Sequence, residues 1–510
     1  MSAPGLYRLL ERSASRVPDA PAVVMEEVVW SYRELLSRAE RCSDQLASLG
    51  VKAGDRVGMM LQKCPDSIAA IFGILGCNAA YVPVDPDAPT ARALTILEDC
   101  GVSAVVCDDG CLGSIDQELD GRCGVLVSRD EEWAQLDRRA GWSNSTFSHV
   151  DSLAYILYTS GSTGVPKGVM ITDAASLAFV DWAVSELRLT DADRMANHAP
   201  LHFDLSILDV FGAVHAGAAI VLVPKALSVF PRDLAGYIES QGITVWYSVP
   251  AVLRLLSQFG GLADRDLSSL RLVLFAGEVF APKHLQVLQT QLPAATYYNL
   301  YGPTETNVCT FHRVDRLAEG DEAPIPIGIA CDSVRAVAVG DDGAVAGVGG
   351  QGELLVSGGS VMAGYWGRPE LTADVFVDGV EGLGGPGYRT GDLVLQDGSG
   401  CFSFVGRLDS QIKTRGYRVE LGDVQAALEA HPAVQEAAVW SVPDAQAGQL
   451  IMGGYVGSEK DGIPVDQIVS FLADRLPAYM LPSRLTEFDK FPRTSTGKID
   501  IQSLRSGASA

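Results

Sequence analysis

Short β-branched apolar runs alternate with stretches of helical periodicity through most of the chain. RVGMML near residue 56, SAVVCD near 103, AAIVLV near 218, ITVWYS near 243 and LRLVLFAG near 270 read as strands. Between them lie segments such as YRELLSRAERCSDQLASLG, where Leu35, Leu36, Ala39, Cys42 and Leu46 share one helical face and Gly50 stands at the expected C-cap. That alternation predicts an α/β architecture whose large N-terminal domain holds mostly parallel sheets flanked by helices. EGLGGPGYRTGD followed by VLQDGSGCFSFVG reads instead as hairpins, a β-rich end to the same core.

A boundary is expected near Asp409, where the strand CFSFVGRL gives way to the charged, Gly-containing DSQIKTRGYRVELGD. Beyond it come a helix (VQAALEAHP), a strand (EAAVWSV) and a second helix (VDQIVSFLADRL). The expected division is a core over residues 1–408 and a small α+β domain over 409–510. No internal repeat or low-complexity tract interrupts either part.

Composition narrows the function. A chain of 510 residues is too long for one compact core, and 47% apolar residues supply a large buried interior. A formal charge of −24 argues against nucleic acid, which is bound by surplus Lys and Arg, so any phosphate site must be local. The ten cysteines follow no repeating spacing, and Cys107 and Cys111 have no matching His/Cys pair downstream, so they are expected to be reduced, mostly buried hydrophobes. The start, MSAPGLYRLLERSASRVPDA, lacks a charged region followed by an apolar core, and no window reaches about 18 uninterrupted apolar residues. A soluble cytoplasmic protein with no membrane partner is expected, and Asn144-Ser145-Thr146 is then a chance match to a glycosylation pattern.

Candidate chemistry begins at YTSGSTGVPKG, Tyr158 to Gly168, directly after the apolar LAYIL. Gly161 and Gly164 let the backbone turn tightly and present N–H groups; Thr159, Ser160, Ser162 and Thr163 add hydroxyl donors, and Lys167 adds a cation. This composition suits a polyphosphate. The P-loop pattern is nonetheless unmet, because Pro166 stands where its second Gly belongs, and the stretch alone also reads as a flexible surface loop.

Later segments decide between those readings. YILYTSGSTGVPKGVM, NLYGPTET, GELLVSGGSVMAGYW, YRTGD, GRLDSQIKTRGYRVE and PRTSTGKID occur in the order and spacing of the adenylate-forming superfamily. Together they resemble the amino-acid adenylation domains of nonribosomal peptide synthesis, across essentially the whole chain. The resemblance implies that the loop from Thr159 to Lys167 covers the β- and γ-phosphates of ATP, while Thr304 and Glu305 hold the α-phosphate and Mg²⁺. It implies that Tyr301, beside Gly302, stacks on adenine, that Asn299 bonds the exocyclic amine, and that Asp392 accepts from the ribose hydroxyls with Arg407 nearby. Taken singly, Tyr301 also reads as a core aromatic, Asp392 as a turn residue and Arg407 as a surface cation. Lys498 becomes the catalytic lysine bridging the substrate carboxylate and α-phosphate, where an ammonium offsets the repulsion of two anions.

The implied chemistry is formation of an acyl-adenylate with pyrophosphate release, then attack by a pantetheine thiol. The resemblance makes the C-terminal domain mobile, with a hinge at Asp409, Gly416 lining the pantetheine tunnel and Phe203 gating it. Gly416 also reads as a turn residue and Phe203 as core. Two departures stand out: Asp173 where many relatives have His, and Gly422-Asp423 in place of Ile-Glu.

HFDLSILDVFG resembles the segment in which an Asp, here Asp204, holds the substrate's α-amino group. The family's pocket positions fall on Asp204, Leu205, Leu208, Tyr247, Leu274, Ala276, Leu300, Val308, Cys309 and Lys498. This apolar lining disfavours a charged or amide-bearing side chain. The string is similar to that of stand-alone proline-activating enzymes; small aliphatic α-amino acids or a short β-amino acid also fit. No H-H-x-x-x-D-G motif precedes the domain and no G-G-x-S motif follows Lys498, so a separate phosphopantetheine-bearing carrier protein is the expected acceptor. A CoA ligase is the alternative within enzymes, which Asp204 disfavours because a fatty acid has no amine. A non-catalytic adenylate-binding module is the alternative outside them.

Overall fold

The computed structural model describes residues 5–119, 123–129, 132–136, 152–160, 166–408, 411–414, 416–444, 448–457, 464–493 and 499–507. The chain forms two compact units. The first comprises Met1–Pro86, Leu97–Tyr158 and Gly168–Leu408; the second comprises Asp87–Ile96, Thr159–Lys167 and Asp409–Ala510.

The first unit is built on two large sheets and a smaller one. In the nine-stranded sheet, Thr296–Tyr301, Leu272–Phe275, Val245–Ser248, Arg194–Asn197, Ala219–Leu222 and Pro21–Met25 run parallel in that spatial order, with antiparallel strands closing both edges. In the eight-stranded sheet, Leu153–Thr159, Ala80–Pro83, Arg56–Met60, Ala104–Asp108 and Gly124–Arg129 are parallel. Every residue of Arg56–Met60, Val245–Ser248 and Leu272–Phe275 is buried, which is why these strands read as continuous apolar runs rather than alternations. The glycine-rich region after residue 380 forms the predicted hairpin, Gly387–Gln396 against Phe402–Arg407, in an antiparallel five-stranded sheet.

The helix predicted from YRELLSRAERCSDQLASLG spans Tyr32–Ser48. It opens on a capping box between Ser31 and Glu34 that the sequence reading did not single out. Its end lies at Leu49, one residue before Gly50; Gly50 N donates to Ala47 O at 3.0 Å and Val51 N to Leu46 O at 3.1 Å. Asp173, read from sequence only as a departure, has a structural task. Its carboxylate accepts from Gly5 N at 2.7 Å and Leu6 N at 2.9 Å, satisfying the open N-terminus of the helix Gly5–Arg16.

The second unit is a small α+β assembly. Strands Val434–Asp444, Gly448–Gly457 and Arg484–Glu487 form one sheet and Gln411–Thr414 pairs with Tyr417–Glu420. Helices Leu421–Glu429 and Val465–Ala473 pack Val424, Leu428, Ile468 and Leu472 against Ala437 and Tyr455. All ten cysteines are free thiols, and among the described residues no helix is long and apolar enough to cross a membrane.

Candidate active site

The parallel strands of the nine-stranded sheet bring one set of side chains to their C-terminal ends, where open α/β sheets bind ligands. Tyr247 pairs in register with Leu274, and Leu274 with Tyr298. Two residues further along the same face lie Ala276 and Leu300. Tyr247, Leu274, Ala276, Leu300, Val308, Cys309 and Leu208 all join one buried cluster, while the alternate residues Trp246, Val273, Phe275 and Tyr297 face another. Burial, with Asp204 next in effect, holds the Tyr247 phenol well above its usual range, so it stays neutral.

Asp204 begins a short helical turn, Leu205–Ile207, that continues as a π-turn over Leu208–Gly212. Helical spacing puts Asp204, Leu205 and Leu208 on one face. Asp204 Oδ2 accepts from Thr304 Oγ1 at 2.7 Å, so the residue expected at the α-phosphate touches the residue expected at the amine. Phe203 is partly buried and stacks edge-on against His202 with ring centroids 5.2 Å apart.

Further along, the strand Thr296–Tyr301 presents Asn299 and Tyr301. Asn299 Nδ2 donates to Pro326 O at 2.7 Å, which leaves Oδ1 as the acceptor that an exocyclic amine needs. Tyr301 is 7% exposed and its hydroxyl donates to Asp392 Oδ2; Arg407 Nη1 donates to Asp392 Oδ1 at 2.5 Å. Asp392 and Arg407 face each other across the hairpin, so Arg407 is an ion-pair partner rather than a solvated cation. Each carboxylate oxygen retains acceptor capacity for a ribose hydroxyl.

Glu305 is fully buried, and its Oε1 accepts from Tyr365 Oη at 2.8 Å. A held carboxylate is a suitable hard oxygen donor for Mg²⁺, and among the described residues no cluster of three or more His, Cys, Asp or Glu offers an all-protein cage. The donor set therefore fits an ion completed by phosphate oxygens and water. Gly302 is required for packing: a Cβ there meets Asn307 O at 1.6 Å.

In the second unit, Thr159 Oγ1 is buried and has no hydrogen-bond partner among the described residues. Ser160 Oγ donates to Arg418 O at 3.2 Å and accepts from Glu420 N at 3.1 Å, and Lys167 opens the strand Lys167–Thr172. Gly416 has φ of +85° in the turn joining Gln411–Thr414 to Tyr417–Glu420, so the turn itself favours glycine. Gly161, Ser162, Thr163, Gly164, Asp409 and Lys498 lie outside the described residues.

Sequence reasoning missed one supporting residue here. Glu353, in GELLVSGG, accepts from Gly391 N at 3.1 Å through Oε1 and from Arg389 at 2.6 Å through Oε2, bracing YRTGD so that Asp392 is fixed. Its partners lie 36 and 38 residues away, so no local spacing marks it.

A model described as AMP-binding enzyme matches residues 10–366, and one described as AMP-binding enzyme C-terminal domain matches 423–498. The L-proline–[L-prolyl-carrier protein] ligase of Pseudomonas fluorescens is 38% identical over 499 residues, covering 97% of each chain. The ligase of the same name from Streptomyces coelicolor is 39% identical over 523 residues, covering 98% of this chain and 96% of that one. Among solved structures, the Vibrio cholerae adenylation domain AlmE, in complex with glycyl-adenosine-5'-phosphate, is similar with a TM-score of 0.85 at 25% identity, over 100% of this chain and 98% of that one. Both halves of the fold, and relatives matched almost end to end, place this chain in the AMP-binding enzyme family.

Proposed function

We propose that this enzyme activates L-proline as prolyl-AMP with release of pyrophosphate, then transfers the prolyl group to the phosphopantetheine thiol of a separate carrier protein. The observation that carries the reading is Asp204, a carboxylate held by Thr304 at an otherwise apolar, buried set of side chains. A cationic amine is the natural partner for such a group in a low-dielectric setting. Proline is a compact apolar ring whose secondary ammonium offers two N–H donors. The two relatives of 38 and 39% identity carry the name of this activity.

In the first step a substrate carboxylate oxygen attacks the α-phosphorus of ATP, and the bond to the bridging oxygen of pyrophosphate breaks. Asp204 anchors the amine; Thr304, whose one hydroxyl proton is given to Asp204 here, is assigned to the α-phosphate, to which it donates once the ammonium takes its place on Asp204. Asn299 and Tyr301 hold adenine, and Asp392 holds the ribose. Thr159, Ser160 and Lys167 serve the β- and γ-phosphates together with Gly161, Ser162, Thr163 and Gly164. Mg²⁺, with Glu305 as its protein ligand, neutralises phosphate charge when bound. Lys498 is assigned the role of offsetting charge between carboxylate and α-phosphate, and its loss costs about 3 kcal/mol or more in this step. In the second step the thiol sulfur attacks the acyl carbon and AMP leaves. Asp409 is assigned as the hinge of the domain beginning there, and Gly416 and Phe203 as tunnel residues.

Pyrophosphate release trapped with hydroxylamine, measured across the common amino acids, proline analogues and short β-amino acids, tests this reading. A response dominated by L-proline that collapses in Lys498→Ala is expected. Turnover of another amino acid keeps the chemistry and replaces the substrate; turnover of simple carboxylic acids alone overturns the reading in favour of a CoA ligase.

A further inference from the structure

The segment that carries Asp204 leaves the nine-stranded sheet at the end of Arg194–Asn197 and is held from outside that sheet. Asn197 pairs with Leu222 at the last rung of the ladder, and its carbonyl also accepts from Val223 N at 3.1 Å. Past that rung the sheet supplies no further ladder bonds. Lys63 takes over, from the turn between the strand Arg56–Met60 of the eight-stranded sheet and the helix Pro65–Gly76. Its Nζ donates to Asn197 O and to His198 O, each at 2.9 Å. On the same side His202 Nε2 lies 3.9 Å from Asp85 Oδ2, near it but beyond hydrogen-bond distance.

The two ends of the segment are also joined to each other. Asn197 Nδ2 donates to Asp209 Oδ2 at 3.1 Å, and Asp209 sits in the π-turn immediately after Leu208. Phe203, Asp204, Leu205 and Leu208 are all strung between these ties. Single π-turns inside helices are frequent at functional sites.

This polar cluster is costly for its surroundings. Asp209 and Asn197 are fully buried, and Asp209 Oδ1, Asn197 Oδ1 and His198 Nε2 have no partner among the described residues. Burial drives the Asp209 carboxyl well above the usual range and brings the Lys63 ammonium down to about 7, Asp209 opposing the latter. A region whose only task was packing is better filled by apolar side chains. Polar groups kept there fix one backbone arrangement at the expense of stability.

We propose that Lys63, acting on the Asn197 and His198 carbonyls together with the Asn197–Asp209 link, is a positioning residue that sets the amino-acid pocket and its discrimination. The inference rests on the assignment of Asp204 as the amine anchor. It separates the two substrates, because Asn299 bonds Pro326, Tyr301 bonds Asp392, and Asp392 is held by Arg407 with Glu353 bracing Gly391 beside it, rather than by Lys63. Disturbing Lys63 therefore acts chiefly on the amino acid and leaves the adenine and ribose contacts alone, the Asp204–Thr304 bond being its link towards the α-phosphate.

The test is pyrophosphate exchange with amino acid and ATP varied separately, in the parent, Lys63→Met, Lys63→Arg and Asp209→Leu. The expected result for Lys63→Met is an amino-acid KM raised about tenfold to a hundredfold, the cost of a small displacement of a binding group, with the KM for ATP changed by less than about threefold. Preference for proline over alanine and valine narrows, and Lys63→Arg, which keeps a donor, recovers most of the loss. Both KM values moving together, or neither moving in folded protein, overturns the proposal. Should Lys63→Met fail to fold, Asp209→Leu, which removes the acceptor of the Asn197 bond at similar volume, decides: a raised amino-acid KM supports the proposal and an unchanged one overturns it. A parent silent with every amino acid overturns the functional reading and this inference with it, whereas an active parent matched by its variants overturns this inference alone.

Discussion

Thr304 Oγ1 and Asp204 Oδ2, a hundred residues apart in sequence, meet at 2.7 Å. The bond joins the motif that reads as phosphate-binding to the carboxylate that reads as amine-binding, and on the proposed reading adjacent side chains serve the two substrates. Thr304→Val removes the hydroxyl while keeping the shape. It is expected to weaken amino-acid affinity by about 1 kcal/mol, and Asp204→Asn, which loses the charge-assisted contact, by about 1.5–3 kcal/mol. Amino-acid KM values from pyrophosphate exchange check both, and equal values for Asp204→Asn and parent contradict the anchor role.

Asp392 holds Tyr301 on one oxygen and Arg407 on the other. The side chains of Arg407 and Asp392 are only 14% and 5% exposed, so removing the acid takes away the carboxylate partner of a largely enclosed cation. Asp392→Ala is expected to cost about 3–5 kcal/mol of stability as well as ATP affinity. Tyr301→Phe keeps the ring for adenine and loses only the bond to Asp392, costing ATP affinity about 1 kcal/mol with little change in denaturant midpoint. A stability loss in Tyr301→Phe as large as in Asp392→Ala contradicts this division of roles.

His198 is buried against Trp246, and burial followed by the nearby Lys63 charge pushes its imidazole down to about 3 from the usual 6.5. The unfolded chain therefore takes up a proton that the folded chain refuses. Its contribution to stability is complete above pH 6.5 and is lost as pH falls towards 3, at up to about 1.4 kcal/mol per unit. His284 and His312 are lowered too and add slope of the same sign, so the comparison of interest is between parent and His198→Gln. Urea midpoints between pH 6.5 and 5 should fall less steeply in the variant; identical slopes contradict the assignment.

Asp173 offers a contrast, since its two contacts are with the N-terminus of the first helix and not with any candidate site residue. Asp173→Ala is expected to cost about 1 kcal/mol of stability, the usual worth of a helix cap, with adenylation kinetics unchanged. Equilibrium denaturation and pyrophosphate exchange on the same preparation check the pair.

What the sequence made legible follows from how local each signal is. Strands buried on both faces betray themselves as unbroken apolar runs, and VWYS and LVLF were read correctly on that ground. The ordered motifs carried Asn299, Tyr301, Asp392 and Arg407, which the fold brings into one hydrogen-bonded chain or adjacent to it. Lys63 was invisible because its partners are main-chain carbonyls 134 and 135 residues away, and a Lys in QKCP looks like any solvated cation. Asp209 did leave a trace, a lone carboxylate inside the apolar ILDVFG, five residues after Asp204.

The central claim is that this enzyme makes an aminoacyl-adenylate from proline. The most direct measurement is mass spectrometry of the nucleotide products after incubation with ATP, Mg²⁺ and an equimolar mixture of the common amino acids. Prolyl-AMP as the dominant adenylate is the predicted result. Absence of any aminoacyl-AMP, with an acyl-AMP formed only when simple carboxylic acids are supplied, contradicts it.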